Sequence, residues 1–369
     1  MIDGPSKAAM APSFEGDFAP GEAFSLEAGG VLASPTLHYA MYGKPNAAGD
    51  NVIFVAHALS GSARVAEWWP RLVSHGGLLD GGHCVLGINI LGSCYGSTGP
   101  ASTDPLTGHR YGAKFPLVGM GDIVALQARL LGSLGIARLK LVMGASIGGM
   151  QALQWAIQFP HLVDRVIAIG AAPLRALGLG FNHLQRRMIQ LDPAWQNGEY
   201  AADRPPNQGL AMARALAVST YKSAELFDHR FGRKPDRAGG DPWVSLHEQG
   251  RGLTGERFDV AGYLDYQGEK FVERFDANAY LAITRTMDTF DPTRGYASAE
   301  AAYRRIQAWV MLVGISSDWL FPPGEIAAIA AAMQKAGARC EYHELQSTHG
   351  HDAFLAEPDD LANLLRPFL

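Results

Sequence analysis

Apolar residues recur along this chain in two rhythms. The runs Asn51–Ala56 and Cys84–Asn89 are short, nearly continuous and bounded by turn residues, as in strands buried on both faces of a parallel sheet. Asp122 to Leu134 has helical spacing, with Ile123, Leu126, Leu130 and Leu131 on one face. Leu139–Met143 predicts another strand, Met150–Phe159 a helix stopped at Pro160, and Val163–Ile169 a further strand. From about 175 to 300 the pattern changes to helical segments and polar connections without convincing strands. The alternation then resumes with a strand at Ala308–Gly314, a helix at Glu325–Ala336, a strand at Arg339–Leu345 and a closing helix from Asp359. This order predicts an α/β fold, a mostly parallel sheet with helices on both faces. Its core spans 21–174 and 301–369, and a helical cap is inserted at 175–300. Residues 1–20, rich in Ala, Pro, Gly and Ser, read as a mobile leader.

Composition narrows the class of function. The 369 residues are 47% hydrophobic, enough for a large core, and carry 43 glycines where about 26 are usual. Twelve of those glycines lie between residues 76 and 121. Roughly half of the acidic and basic residues fall in the predicted cap, so the sheet domain is the charge-poor part. A net charge of −5 with no long run of like charge argues against a nucleic-acid or anionic-membrane partner. The N-terminus shows no secretory pattern, and the uncharged run 141–160 is interrupted by three Gly, three Gln and Ser146, so a cytoplasmic setting is expected. Cys84, Cys94 and Cys340 form no C-x-x-C pair and read as free thiols.

Gly144-Ala145-Ser146-Ile147-Gly148 fits G-x-S-x-G, with an apolar strand leading in and a helix leading out. A serine on such a turn stands exposed above a helix N-terminus and can act as a nucleophile. It needs a base oriented by a carboxylate, which in the α/β-hydrolase order follow as Asp and then His. Asp318 leaves the strand ending near Val313, and His349 and His351 follow the next strand; spacing does not choose between these histidines. Backbone N–H groups of Ile147 and Leu59 are the candidate oxyanion donors. His57 precedes the serine, the wrong order for the base. No H-E-x-x-H, P-loop or dinucleotide fingerprint occurs, and His349, His351 and Asp352 lack a second ligand cluster, so no metal is expected. Arg186-Arg187 and Arg230–Lys234 could meet an anionic cofactor but read more simply as solvated faces.

Several blocks in order resemble the homoserine O-acyltransferases of methionine biosynthesis. They are His57–Gly61, Asn89–Pro100, Gly144–Ala156, Tyr266–Phe271, Arg274–Asn278, Ser316–Pro323 and Gly350–Leu355, within a likeness that spans about 25 to 369. The resemblance implies an α/β-hydrolase fold and a triad of Ser146, Asp318 and His351. It also implies that Arg214 receives the carboxylate, and Asp352 the ammonium group, of an amino-acid acceptor. The implied reaction is ping-pong: Ser146 takes an acetyl group from acetyl-CoA and passes it to L-homoserine. No permanently bound cofactor is implied, and a homodimer through the cap is.

Within the family, succinyl-using members tend to carry arginine two residues after the triad aspartate; here Leu320 stands there, which favours acetyl. Ala66–Trp69 also looks like the acetyl-using group. Ser93-Cys94 departs from the commoner Gly-Cys form and is similar to segments of serine O-succinyltransferases, and Ile147 replaces the usual Met or Leu. The alternatives are therefore a homoserine or serine O-succinyltransferase and, in another class, a carboxylesterase of the same fold.

Overall fold

The computed structural model describes residues 10–73, 82–236 and 258–368. Its strands are β1 (Phe14–Phe18), β2 (Phe24–Ser25), β3 (Val31–Leu32), β4 (Leu37–Tyr42), β5 (Val52–Ala56), β6 (Cys84–Ile88), β7 (Leu139–Ala145), β8 (Arg165–Ile169), β9 (Trp309–Ile315) and β10 (Cys340–Leu345). Eight of them form one sheet in the order β1-β4-β6-β5-β7-β8-β9-β10, and β2 pairs with β3. β5 to β10 run parallel, while β4 and β1 are antiparallel additions at one edge. Among the described residues, the helices of eight or more residues are α1 (Met120–Ser133), α2 (Ile147–Gln158), α3 (Ala176–Leu191), α4 (Asn207–Tyr221), α5 (Asp259–Val272), α6 (Ala277–Thr289), α7 (Pro323–Lys335) and α8 (Pro358–Leu365).

The side-chain period of a strand divides the interior in two. Val52, Phe54 and Ala56 of β5 join one core, with Ile123 and Leu130 of α1, Met150 and Trp155 of α2 and Met333 of α7. Ile53 and Val55 face the other, with Trp69, Phe354, Leu361 and Phe368. Continuous apolar runs in the sequence are thus strands covered on both sides. Burying each large side chain contributes about 1.5–3 kcal/mol. The indole N–H groups inside are satisfied: Trp155 donates to Gln127 Oε1 at 3.0 Å and Trp69 to the Phe354 carbonyl at 2.9 Å.

Residues 10–20 correct the leader expectation, while residues 1–9 lie outside the described residues. Phe14–Phe18 add β1 to β4, and Glu15 and Asp17 on it bond His38 at 3.0 and 2.7 Å. Arg64 donates to both Glu15 oxygens, and those hydrogen bonds hold the Glu15 carboxyl down to about 2. A short edge strand fixed by distant partners leaves little periodic signal. The uncharged run 141–160 falls on β7 and α2, and no helix of the described residues is long and apolar enough to cross a membrane.

The segment between β8 and β9 is helical, carrying α3 to α6; residues 237–257 of the expected cap lie outside the described residues. Arg186 of α3 pairs with Asp288 of α6 at 2.5 Å, and Arg230 lies over the Phe231 and Tyr263 rings. Three leucines spaced by seven on α3, Leu177, Leu184 and Leu191, are exposed, as are Met212 and Tyr266 on the neighbouring α4 and α5.

Candidate active site

β7 ends at Ala145 and α2 begins at Ile147, three residues earlier than its apolar pattern suggests. Ser146 alone makes the turn, at φ 58° and ψ −128°. A non-glycine residue there carries about 1–3 kcal/mol of strain, which the surroundings must hold. They do so through Ser146 N–H to Ile169 O at 2.9 Å and Met150 N–H to Ser146 O at 3.0 Å. The flanking glycines are needed for close approach. A Cβ on Gly148 would lie 2.2 Å from Ala56 O, and one on Gly144 would lie 2.4 Å from the Gly148 carbonyl carbon. The start of α2 is therefore seated directly on the end of β5.

Asp318 and His351 follow the carboxyl ends of the parallel neighbours β9 and β10 and meet there. The Asp318 Oδ1 accepts the N–H groups of Leu320 and Phe321 at 3.0 and 2.9 Å, and its Oδ2 lies 2.6 Å from His351 Nδ1. This leaves the Nδ1 proton pointing at the carboxylate and a lone pair on Nε2, which is buried and makes no protein hydrogen bond. Burial pushes the imidazole pKa down, but the Asp318 charge and hydrogen bond, with the charge of Asp352, leave it raised. Gly170 packs against the histidine and the aspartate. It follows Ile169, the partner of Ser146, and a Cβ on it would sit 3.2 Å from His351 Cε1. His349 instead bonds Glu357 at 2.8 Å, so the contact with Asp318 distinguishes the two histidines.

The loop after β5 carries Leu59, in a turn closed by Gly61 N–H to Ala58 O at 2.9 Å. His57 is fully buried beneath it, bonding the Ala58 carbonyl through Nδ1 at 2.8 Å and accepting the Ile90 N–H at Nε2 at 3.1 Å. Burial lowers its pKa to about 4, so His57 is a neutral brace between two loops. Ile147, at the first position of α2, has an N–H outside the intrahelical ladder. Arg274, just past the end of α5 and first in a block that resembles the family, donates to Ser60 O at 2.8 Å and Tyr95 Oη at 2.7 Å, a link from cap to turn that the sequence does not reveal.

A cleft of about 880 Å³ opens beside that turn, lined by Ala58, Ser60, Tyr95, Arg214, Arg274 and Leu355 among others. Of the predicted site residues Arg214 lines it directly, its guanidinium 4.9 Å from the Phe271 ring centroid and 5.6 Å from that of Tyr221. Tyr221 is half-buried with a pKa raised by desolvation, its ring 5.9 Å from His351, and it feels the charges of both Arg214 and Asp352. Asp352 has a partner the sequence reading did not foresee, Lys222, with Nζ 2.9 Å from Oδ2. Leu320 is half-buried against the core and is not among the cleft-lining residues, so its backbone N–H on Asp318 is its visible role. A second cavity of about 660 Å³, near His109, Lys114 and Tyr200, contains none of the predicted residues. Among the described residues there is no cluster suited to a metal. Burial raises the Cys84 and Cys94 thiols to about 11 and Cys340 to about 12, so all three are protonated.

The fold and the elbow define a class, and the family model described as alpha/beta hydrolase fold matches residues 51–358. A solved homoserine O-acetyltransferase from Bacillus anthracis superposes with a TM-score of 0.88, covering 97% of this chain and 98% of that one at 24% identity. Esterase E22 superposes at 0.85, over 96% and 99% of the two chains, also at 24% identity, so these two likenesses speak for the fold. Sequence relatives go further. The homoserine O-acetyltransferase of Symbiobacterium thermophilum is 44% identical over 93% of this chain and 91% of its own. That of Moorella thermoacetica is 40% identical over 93% and 92%. The chain belongs to the homoserine O-acetyltransferase family and is an enzyme of that family.

Proposed function

We propose that the enzyme transfers an acetyl group from acetyl-CoA to the hydroxyl of L-homoserine, through an acyl-Ser146 intermediate, as a cytoplasmic step of methionine biosynthesis. The observation that carries this reading is the contact of His351 Nδ1 with Asp318 Oδ2, which leaves Nε2 as a free base, in a chain whose Ser146 stands on a strained turn. Ser146 Oγ attacks the thioester carbonyl while its proton passes to His351 Nε2. The oxyanion is held by the N–H groups of Ile147 and Leu59. Coenzyme A leaves as the thiol, taking that proton. The homoserine hydroxyl then gives its proton to Nε2 and attacks the acyl carbon, and the proton returns to Ser146 Oγ as the ester is released.

The acceptor is a zwitterion, and the site offers matching charges: Arg214 for the carboxylate and Asp352 for the ammonium group. Among the described residues Arg214 makes no ion pair; it is held by the faces of Phe271 and Tyr221, which leaves its donors available. Leu320 supplies no charge for a succinyl carboxylate, in keeping with acetyl. The apolar stripe of Leu177, Leu184 and Leu191 supports a homodimer through the cap.

Ping-pong chemistry has a kinetic signature. Initial rates with acetyl-CoA varied at several fixed homoserine concentrations are expected to give parallel double-reciprocal lines; intersecting lines would rule out the acyl-enzyme route. Arg214→Met is expected to raise the homoserine KM by about 10- to 100-fold, the loss of a charge-assisted bond. An unchanged KM would remove Arg214 from the acceptor site.

A further inference from the structure

Lys222 is the residue in this region to which neither the motif nor the reaction assigns a task. It follows the last residue of α4, the helix that carries Arg214, and its side chain is 13% exposed. The main chain around it is clamped to both catalytic loops. Gly350 sits at φ +69°, where a Cβ would lie 2.7 Å from Tyr221 O, the Lys222 carbonyl carbon and Ser223 N. Ser223 Oγ donates to the Thr348 carbonyl, Trp319 Nε1–H donates to Lys222 O at 3.0 Å, and Gly350 N–H donates to Ser317 Oγ at 2.9 Å. One joint therefore unites the end of α4, the turn with His351 and Asp352, and the loop with Asp318. Across it Lys222 Nζ reaches Asp352 Oδ2 at 2.9 Å.

Charge explains why that contact matters. His351 faces Asp318 from the loop after β9, Asp352 from its own turn, and Tyr221 from the end of α4. Phe321 and Phe354 pack the rest of the ring without charge, and Arg214 lies beyond Tyr221. Two carboxylates beside one imidazole both favour its protonated form, whereas a general base must be neutral to take a proton.

We propose that Lys222 is a positioning residue for the reaction: it offsets the Asp352 charge beside His351 and holds Oδ2, so that Oδ1 faces the acceptor's ammonium group. The inference rests on the roles of His351 as base and Asp352 as acceptor carboxylate given above. When the ammonium group docks on Oδ1, a second cation joins the pair and favours the neutral imidazole. This happens at the step in which the acceptor hydroxyl must give its proton to Nε2.

The test is the pH dependence of the full-length enzyme. The rate of acceptor-independent CoA release from acetyl-CoA and the steady-state kcat/KM for homoserine are each followed from mildly acid to mildly alkaline pH. In Lys222→Met the unbalanced Asp352 charge stabilises the imidazolium, so the acid limb is expected to move up by about half a pH unit. That is a loss of about threefold on the acid side, closing at alkaline pH. Lys222→Arg is expected to restore the limb, and Lys222→Met combined with Asp352→Asn to move it back down. A limb that stays in place, or a loss equal at every pH, would overturn the proposal; if the methionine variant fails to fold, Lys222→Gln carries the same reading. Asp352→Asn alone separates the two layers: an unchanged homoserine KM refutes the acceptor role, while the limb of CoA release still judges Lys222.

Discussion

Ser146→Ala is expected to lower kcat for acyl transfer by at least about 10⁴-fold, because every step of the proposed route passes through the serine oxygen. The loss is not expected to come from unfolding. Alanine replaces one hydroxyl, and the contacts that fix the turn, Ser146 N–H to Ile169 O and Met150 N–H to Ser146 O, are made by the main chain. Thermal unfolding of the variant should therefore match the parent. Intact-mass analysis after mixing with acetyl-CoA should find one added acetyl group on the parent and none on the variant. Retained transfer in Ser146→Ala would mean that the thioester is attacked directly by the acceptor.

Asp318→Asn is expected to cost about 10⁴-fold in kcat, and the local hydrogen bonds say why. The N–H groups of Leu320 and Phe321 both point at Oδ1, so an amide at this position must place its carbonyl oxygen there. Its NH₂ group then faces His351 Nδ1, where Oδ2 had accepted a proton donor. The ring responds with the other tautomer, protonated on Nε2, and cannot take the proton from Ser146. Removing the carboxylate also withdraws the charge and hydrogen bond that raise the His351 pKa against burial, so the acid limb should shift to lower pH as the rate falls. A kcat–pH profile within tenfold of the parent would show that Asp318 does not orient the base.

What could be read from the chain follows from where the information lies. β5 to β9 were legible because strands covered on both faces must be largely apolar, and the βαβ order then dictates a parallel sheet; β10, the mixed-polarity strand Cys340–Leu345 at the other edge, was legible from its place in that order. β1 and β4 were not, since an antiparallel edge keeps one side half-polar and depends on partners such as Arg64 and His38, far away in sequence. The serine turn was legible because its two glycines are demanded by local sterics. The choice between His349 and His351 was not legible in spacing; the family resemblance points to His351, and in the structure the contact with Asp318 falls there. His57, which chain order sets aside as the base, bonds the Ala58 carbonyl and the Ile90 N–H and so braces the Leu59 turn, a role that order alone does not reveal. Tyr221 and Lys222 escaped notice because nothing near them in sequence marks them, and Arg274 opens a block that resembles the family but carries no sign there of its partners Ser60 and Tyr95. Their meaning arises from the meeting of α4 and α5 with loops that lie far away along the chain.

A crossed steady-state assay decides the identity of donor and acceptor. Acetyl-CoA and succinyl-CoA are each paired with L-homoserine and L-serine, and kcat/KM is measured for the four combinations. The highest value is expected for acetyl-CoA with L-homoserine, with CoA release stimulated by homoserine over water. A higher value for succinyl-CoA or for L-serine, or CoA release indifferent to any amino acid, would contradict the proposed function.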